Sequence, residues 1–75
     1  MIGRVVISTA GRDKGKYMVV VGFKGDLLLV ANGKERPVNN PKPKNNKHII
    51  LTEHRLQNGQ YSSNRRLKKA LYELK

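Results

Sequence analysis

Apolar residues fall in short, closely spaced runs through the first half of the chain. Residues 4–8 read Arg-Val-Val-Ile-Ser, a β-branched run and the first strand predicted. Residues 17–23 give the second. Alternate side chains lie on opposite faces of a strand, so Tyr17, Val19, Val21 and Phe23 share one face and Met18 and Val20 the other. Both faces are apolar, which predicts a central strand. A turn at Lys24-Gly25-Asp26 leads to a third strand at residues 27–31, also apolar on both faces. Asn32-Gly33 follows, a strong signal for a type I′ hairpin, and predicts a fourth strand at residues 34–38 with Pro37 marking it as an edge.

The pattern then breaks. Residues 39–48 hold two prolines and four asparagines, which predicts no regular structure there. Ile49-Ile50-Leu51 is a short fifth strand, and residues 53–62 read as an irregular connector centred on Asn58-Gly59. Leu67, Ala70, Leu71 and Leu74 recur at helical spacing, predicting a helix over residues 63–74 capped by Ser62 or Ser63. Short strands joined by tight turns suggest a small barrel, because closure removes exposed edges. The expected fold is mainly β: a barrel of about five strands over residues 2–52 with a C-terminal α-helix packed on it.

Length and composition narrow this further. Seventy-five residues make one domain, which buries only about 60% of its unfolded surface. There is no cysteine, which fits a reducing cytosol, and a cytoplasmic protein is expected. No apolar stretch approaches the roughly 20 residues of a membrane span, and no signal peptide is read. No cofactor or small-molecule substrate is expected, and the protein is expected to act as a monomer.

Charge changes the picture most. Sixteen Lys and Arg oppose five Asp and Glu, a net +11 with neutral histidines. The excess is spread as +3 over residues 1–31, +4 over 32–48 and +4 over 49–75, so the folded body itself is basic. Self-repulsion on this scale opposes folding of a small domain unless an anionic partner offsets it. Nucleic acid is the expected partner. A membrane surface fits less well, since the helical stripe carries no Trp or Phe.

Two segments concentrate that charge. The first, Gly11-Arg12-Asp13-Lys14-Gly15-Lys16, joins the first two strands. It is not a nucleotide cradle: its glycines stand one residue too close, Tyr17 occupies the Ser/Thr position, and a strand follows where a helix is required. Two readings stay level on composition. Arg12, Lys14 and Lys16 contact nucleic-acid phosphates, or the loop is a solvated connector with Asp13 bonded to local backbone N–H groups. The second segment contains Pro41-Lys42-Pro43-Lys44, stiff and extended, with little ordering entropy left to lose on binding. Lys42, Lys44 and Lys47 could track a phosphate backbone, a reading favoured over a bare surface loop.

Together these residues resemble a known family. Gly3-Arg4-Val5-Val6-Ile7-Ser8, the loop 11–16 and Val19-Val20-Val21 resemble a KOW motif, found in ribosomal proteins and transcription elongation factors. Asn40-Pro41-Lys42, Lys44-Asn45 and Lys47-His48-Ile49 are similar to the basic segment of small bacterial KOW-domain RNA-binding proteins. Those are related to large-subunit ribosomal proteins of archaea and eukaryotes. The resemblance covers roughly residues 3–52. It implies an SH3-like barrel that binds RNA, often ribosomal RNA, with Arg12, Lys14 and Lys16 in one basic patch and Lys42, Lys44, Lys47 and His48 in the second. Met18 stands where many KOW motifs have glycine, which favours the ribosomal-protein-like branch. Residues 53–75 match no motif.

Other residues leave alternatives. His48 could stack on a base or contact a phosphate, or sit partly buried at a strand start. His54 reads as surface, and the two histidines do not complete a metal site. Arg36 could join the basic face from its strand. Arg65 and Arg66 lie in the first helical turn, the unfavourable end of the helix dipole for a cation. That suggests a secondary anion contact, though an ordinary solvated face is favoured. Tyr17, Tyr61 and Tyr72 read as core or rim residues rather than stacking platforms. No nucleophile–base–orienter set can be named, so no enzyme is expected. The leading expectation is binding of structured RNA, ribosomal RNA or the ribosome foremost. The alternatives are an SH3-like protein-docking module, which the scarcity of aromatics disfavours, and a DNA-binding transcription-associated protein.

Overall fold

The computed structural model describes residues 1–74. Among these residues the chain forms five strands and one α-helix: β1 (Arg4–Ser8), β2 (Tyr17–Lys24), β3 (Leu27–Ala31), β4 (Lys42–Lys44), β5 (Ile49–Arg55) and α1 (Asn64–Tyr72). Single 3-10 turns at Asn46–His48 and Asn58–Gln60 precede β5 and α1. The strands make one antiparallel sheet in the order β4-β3-β2-β1-β5, with β2 at its centre as its two apolar faces predict.

The faces bury different things. Val5, Val19 and Ala31 lie on one face and pack with Leu67, Ala70 and Leu71 of α1 and with Leu56. Val6, Met18, Val20, Leu28 and Val30 lie on the other and pack on one another, with Ile49 of β5 against them. The second set fills its own core with no helix over it, so the sheet curls around it.

Chain connectivity demands the same curl. β4 and β5 are the two edges of the sheet, yet only residues 45–48 separate them. A flat five-stranded sheet would set its edges about 19 Å apart, at about 4.8 Å per strand. Five residue steps reach at most about 17 Å fully extended, and a 3-10 turn advances only about 2 Å per residue. The overall extents, 26 × 24 × 22 Å, are correspondingly close to equal. The result is a small SH3-like barrel, left open between β4 and β5.

Two irregularities assist the bend. The β2–β3 register shifts by one residue between Val20 and Gly22. The β1–β5 register shifts between Arg4 and Val6. There the Thr52 hydroxyl donates to Val5 O (2.7 Å) and accepts from His54 N (3.2 Å), replacing ladder bonds that the shift removes.

Three expectations need correction. The Asn32-Gly33 hairpin does not form, and residues 34–38 are not a strand. Gly33 has φ of 79°, but Asn32 does not take the positive φ that a type I′ turn also requires there. Instead Asn32 Oδ1 accepts from Lys34 N and Arg36 N, both at 3.0 Å, while Asn32 N and Gly33 N donate to Arg36 O (2.9 and 3.0 Å), and together these close a turn. The fourth strand is β4, inside the segment expected to lack regular structure. Proline is admitted because β4 is an edge: opposite Leu29, Pro43 turns its missing N–H side away from the ladder. The fifth strand is also longer than expected, running through Arg55. The helix starts at Asn64, with Ser63 Oγ accepting from Arg66 N (3.3 Å) as its cap.

Candidate nucleic-acid interface

The loop between β1 and β2 is anchored from beneath by its one acidic residue. Antiparallel pairing places Lys42 and Lys44 of β4 opposite Val30 and Leu28, on the inner face of the curl. Ser8 lies on that same face, two residues beyond Val6. Asp13 descends from the loop to meet them. Lys44 Nζ donates to Asp13 Oδ1 (2.7 Å) and to Ala10 O (2.8 Å). Ser8 Oγ lies 2.7 Å from Asp13 Oδ1 and 3.0 Å from Ala10 O. Lys42 Nζ approaches Asp13 Oδ2 at 3.7 Å.

Electrostatics follow from this geometry. Burial by itself would push the Asp13 carboxyl up. Hydrogen bonds from Lys44 and Ser8, with the charges of Lys44 and Lys42, outweigh burial and hold its pKa at about 2. The carboxylate is therefore charged at neutral pH, and it fixes the loop to β4 across 31 residues of sequence.

Lys44, expected to contact RNA, is only 5% exposed, and its ammonium is spent on Asp13 and Ala10. It supports the loop and presents no charge outward. The bland expectation for Asp13, bonds to local backbone N–H groups, is likewise replaced by this long-range pair.

With Asp13 turned inward, its neighbours turn outward. Arg12 and Lys14 are exposed, and neither side chain has a hydrogen bond or ion pair among the described residues. Lys16 is exposed as well, but it donates to Glu35 Oε1 (2.9 Å), which Asn32 Nδ2 also reaches (3.1 Å). These hydrogen bonds from Lys16 and Asn32 lower the Glu35 pKa.

The second basic segment adjoins the first. Thr9 N donates to His48 O (2.9 Å), and Asn45 Oδ1 accepts from Lys47 N (2.9 Å) to cap the 3-10 turn. Loop 11–16 and segment 42–48 are thus joined by the Thr9–His48 backbone bond and by the Asp13–Lys44 pair. Lys47 and His48 are exposed beside the loop, and Lys42 is half-buried. Arg36 is also half-buried, and it stands in the Asn32 turn rather than on a strand. Arg65 and Arg66 are exposed in the first turn of α1, apart from the Asp13 cluster.

Sequence reasoning missed Ser8 and the inward role of Lys44. Their signal is the period-2 alternation of β1 and β4, visible for Lys44 only once residues 42–44 are read as a strand paired with β3. It also missed a groove of about 600 Å³ on the far side of the loop, lined in part by Lys34, Lys68 and Tyr72. Tyr72, expected in the core or rim, is 73% exposed. Among the described residues no helix is long and apolar enough to cross a membrane. No protein-family model matches the chain, and no curated protein matches it either.

Proposed function

We propose that this chain is an RNA-binding protein that grips structured RNA, ribosomal RNA foremost, through backbone phosphates. The observation that carries the reading is the union of its two basic segments. The β1–β2 loop and segment 42–48 share a buried ion pair and the Thr9–His48 backbone hydrogen bond, so Arg12, Lys14 and Lys47 project from one pinned platform. Cations held on a rigid sheet lose little freedom on binding and keep a fixed spacing for phosphates. The net charge of +11 supplies the attraction that steers a polyanion to them. Resemblance to KOW-domain proteins, with Met18 in place of the glycine that many of them carry, favours RNA over DNA and a translation-related role over a transcriptional one.

On this reading Arg12, Lys14, Lys42 and Lys47 meet about four phosphates, and log K falls with log salt with a slope of roughly −3 to −3.5. Titration against a structured ribosomal RNA fragment across a salt series tests this, and a slope near zero overturns it. Crosslinking in cells followed by sequencing of the bound nucleic acid should return ribosomal RNA. Recovery of genomic DNA alone would move the protein to the transcriptional reading.

A further inference from the structure

The groove beside the loop has a composition that phosphate gripping does not explain. Buried Leu71, half-buried Tyr17 and exposed Tyr72 line it. Lys16, Lys34 and Lys68 stand around it. Lys16 is taken by Glu35, whose charge it neutralises. Lys34 and Lys68 have no side-chain hydrogen bond or ion pair among the described residues. Both line the groove, and the Lys68 stem packs beside Gly33, where a Cβ would lie 3.1 Å from its Cγ. Lys68 and Tyr72, four residues apart on α1, share one helix face. Two cations without an ion-pair partner therefore line the same groove as buried Leu71 and the exposed Tyr72.

That pairing suits a ligand with a flat, weakly polar part and an attached anion. An acidic peptide would use the lysines and leave the ring idle. A nucleotide uses both, because every base presents a π-face and every linkage a phosphate. The volume, about 600 Å³, lies within the range of sites that enclose small ligands. Gly15 and Lys16 belong to both the loop and the groove, so a strand lying on the loop reaches the groove along one continuous surface.

We infer that the groove between the β1–β2 loop, the Asn32 turn and α1 holds one unpaired nucleotide of a bound RNA, its base against Tyr72 and its phosphate at Lys34 and Lys68. The inference rests on the RNA-binding reading above and adds a preference for RNA with an unpaired nucleotide. Stacked bases inside a duplex have no free face to offer, so a blunt duplex meets only the phosphate-gripping surface.

The test compares two probes, a single-stranded RNA octamer and a blunt RNA duplex, on the intact chain. Tyr72→Ala is expected to weaken octamer binding by about tenfold, within the range for losing one base–aromatic stack, and to leave duplex binding unchanged. Tyr72→Phe keeps the ring and should restore octamer binding. Joint Lys34→Ala and Lys68→Ala replacement should weaken the octamer more than the duplex. Equal losses on both probes, or no loss on the octamer, would overturn the groove assignment and leave the RNA reading standing. Failure of the wild-type chain to bind either probe would overturn the RNA reading itself. Displacement of the octamer by a glutamate octapeptide at equal concentration would make the groove a site for acidic peptides.

Discussion

The Lys44 ammonium lies 2.7 Å from Asp13 Oδ1, and both residues are buried although the chain around each is rich in exposed charge. One buried pair thus separates lysines that hold the surface together from lysines that are the surface. Removing one partner leaves a buried, uncompensated charge. Lys44→Met or Asp13→Leu should each destabilise the domain by about 3 kcal/mol, while the double replacement should recover most of that loss. Urea unfolding of the four proteins checks the cycle.

Acid should act through the same pair. The Asp13 pKa is lowered from 3.8 to about 2 in the folded chain. A depressed carboxylate contributes stability that is fully present above its unfolded pKa and is lost as pH falls through the folded one. The Asp13 contribution to the melting temperature should therefore be full and insensitive to pH near neutrality, and be lost between about pH 5 and pH 2. Asp13→Asn should start lower at pH 7 and show a shallower fall over that window.

The exposed cations should behave differently. Replacing Arg12, Lys14 and Lys47 together by Ala should leave the melting temperature nearly unchanged. It should make the salt dependence of RNA binding shallower by about 2 to 3, as three phosphate contacts are lost. Lys44→Ala, in contrast, should lower the melting temperature first. Paired binding and melting curves separate the two classes of lysine.

Glu35 holds the Lys16 ammonium at 2.9 Å, so on the RNA-binding reading it would compete with phosphate for it. Glu35→Gln keeps an oxygen for Asn32 Nδ2 and removes the charge, so Lys16 becomes available. RNA affinity should rise a few-fold and the salt slope should steepen by just under one unit. An unchanged slope would show that Lys16 lies outside the contact surface.

Two glycines with the same backbone twist should respond unequally to alanine. Gly15 and Gly33 have φ of 82° and 79°. Around Gly15 a Cβ meets nothing within 4 Å, so Gly15→Ala costs only the left-handed conformation, about 1–2 kcal/mol. At Gly33 the Cβ would sit 2.5 Å from Asn64 O at the start of α1. Gly33→Ala should cost clearly more and loosen the helix, measurable as a larger drop in melting temperature and in helical circular dichroism.

Strands β1 to β3 were legible as short apolar runs and the helix by its hydrophobic period, and the packing uses both. The apolar double face of β2 even reported its central place between two cores. Legibility failed where local bonds outcompeted the hairpin that the dipeptide suggests. The Asn32 side chain joins the backbone bonds to Arg36 O in a compact turn, and Pro43 enters a strand because the edge position needs no donor from it. For the basic surface, charge marked two segments that the fold brings together but could not rank their lysines. Lys42, Lys44 and Lys47 look alike in sequence, and only pairing with β3 turns Lys44 inward. Lys34 lies too far along the chain from Lys68 and Tyr72 to suggest a shared groove.

The pairing of β1 with β5 joins residues about 45 positions apart, Val6 to Leu51, whereas β2 and β3 meet across a two-residue turn. Contacts that close long loops form against a larger entropic cost and tend to come late. A chain emerging from the ribosome can make the β2–β3 hairpin early, but Asp13 has no Lys44 and β1 has no β5 until about 55 residues are free. The pinned basic platform is thus a property of the finished fold. A half-made chain carries the same positive charge without a fixed place to put it.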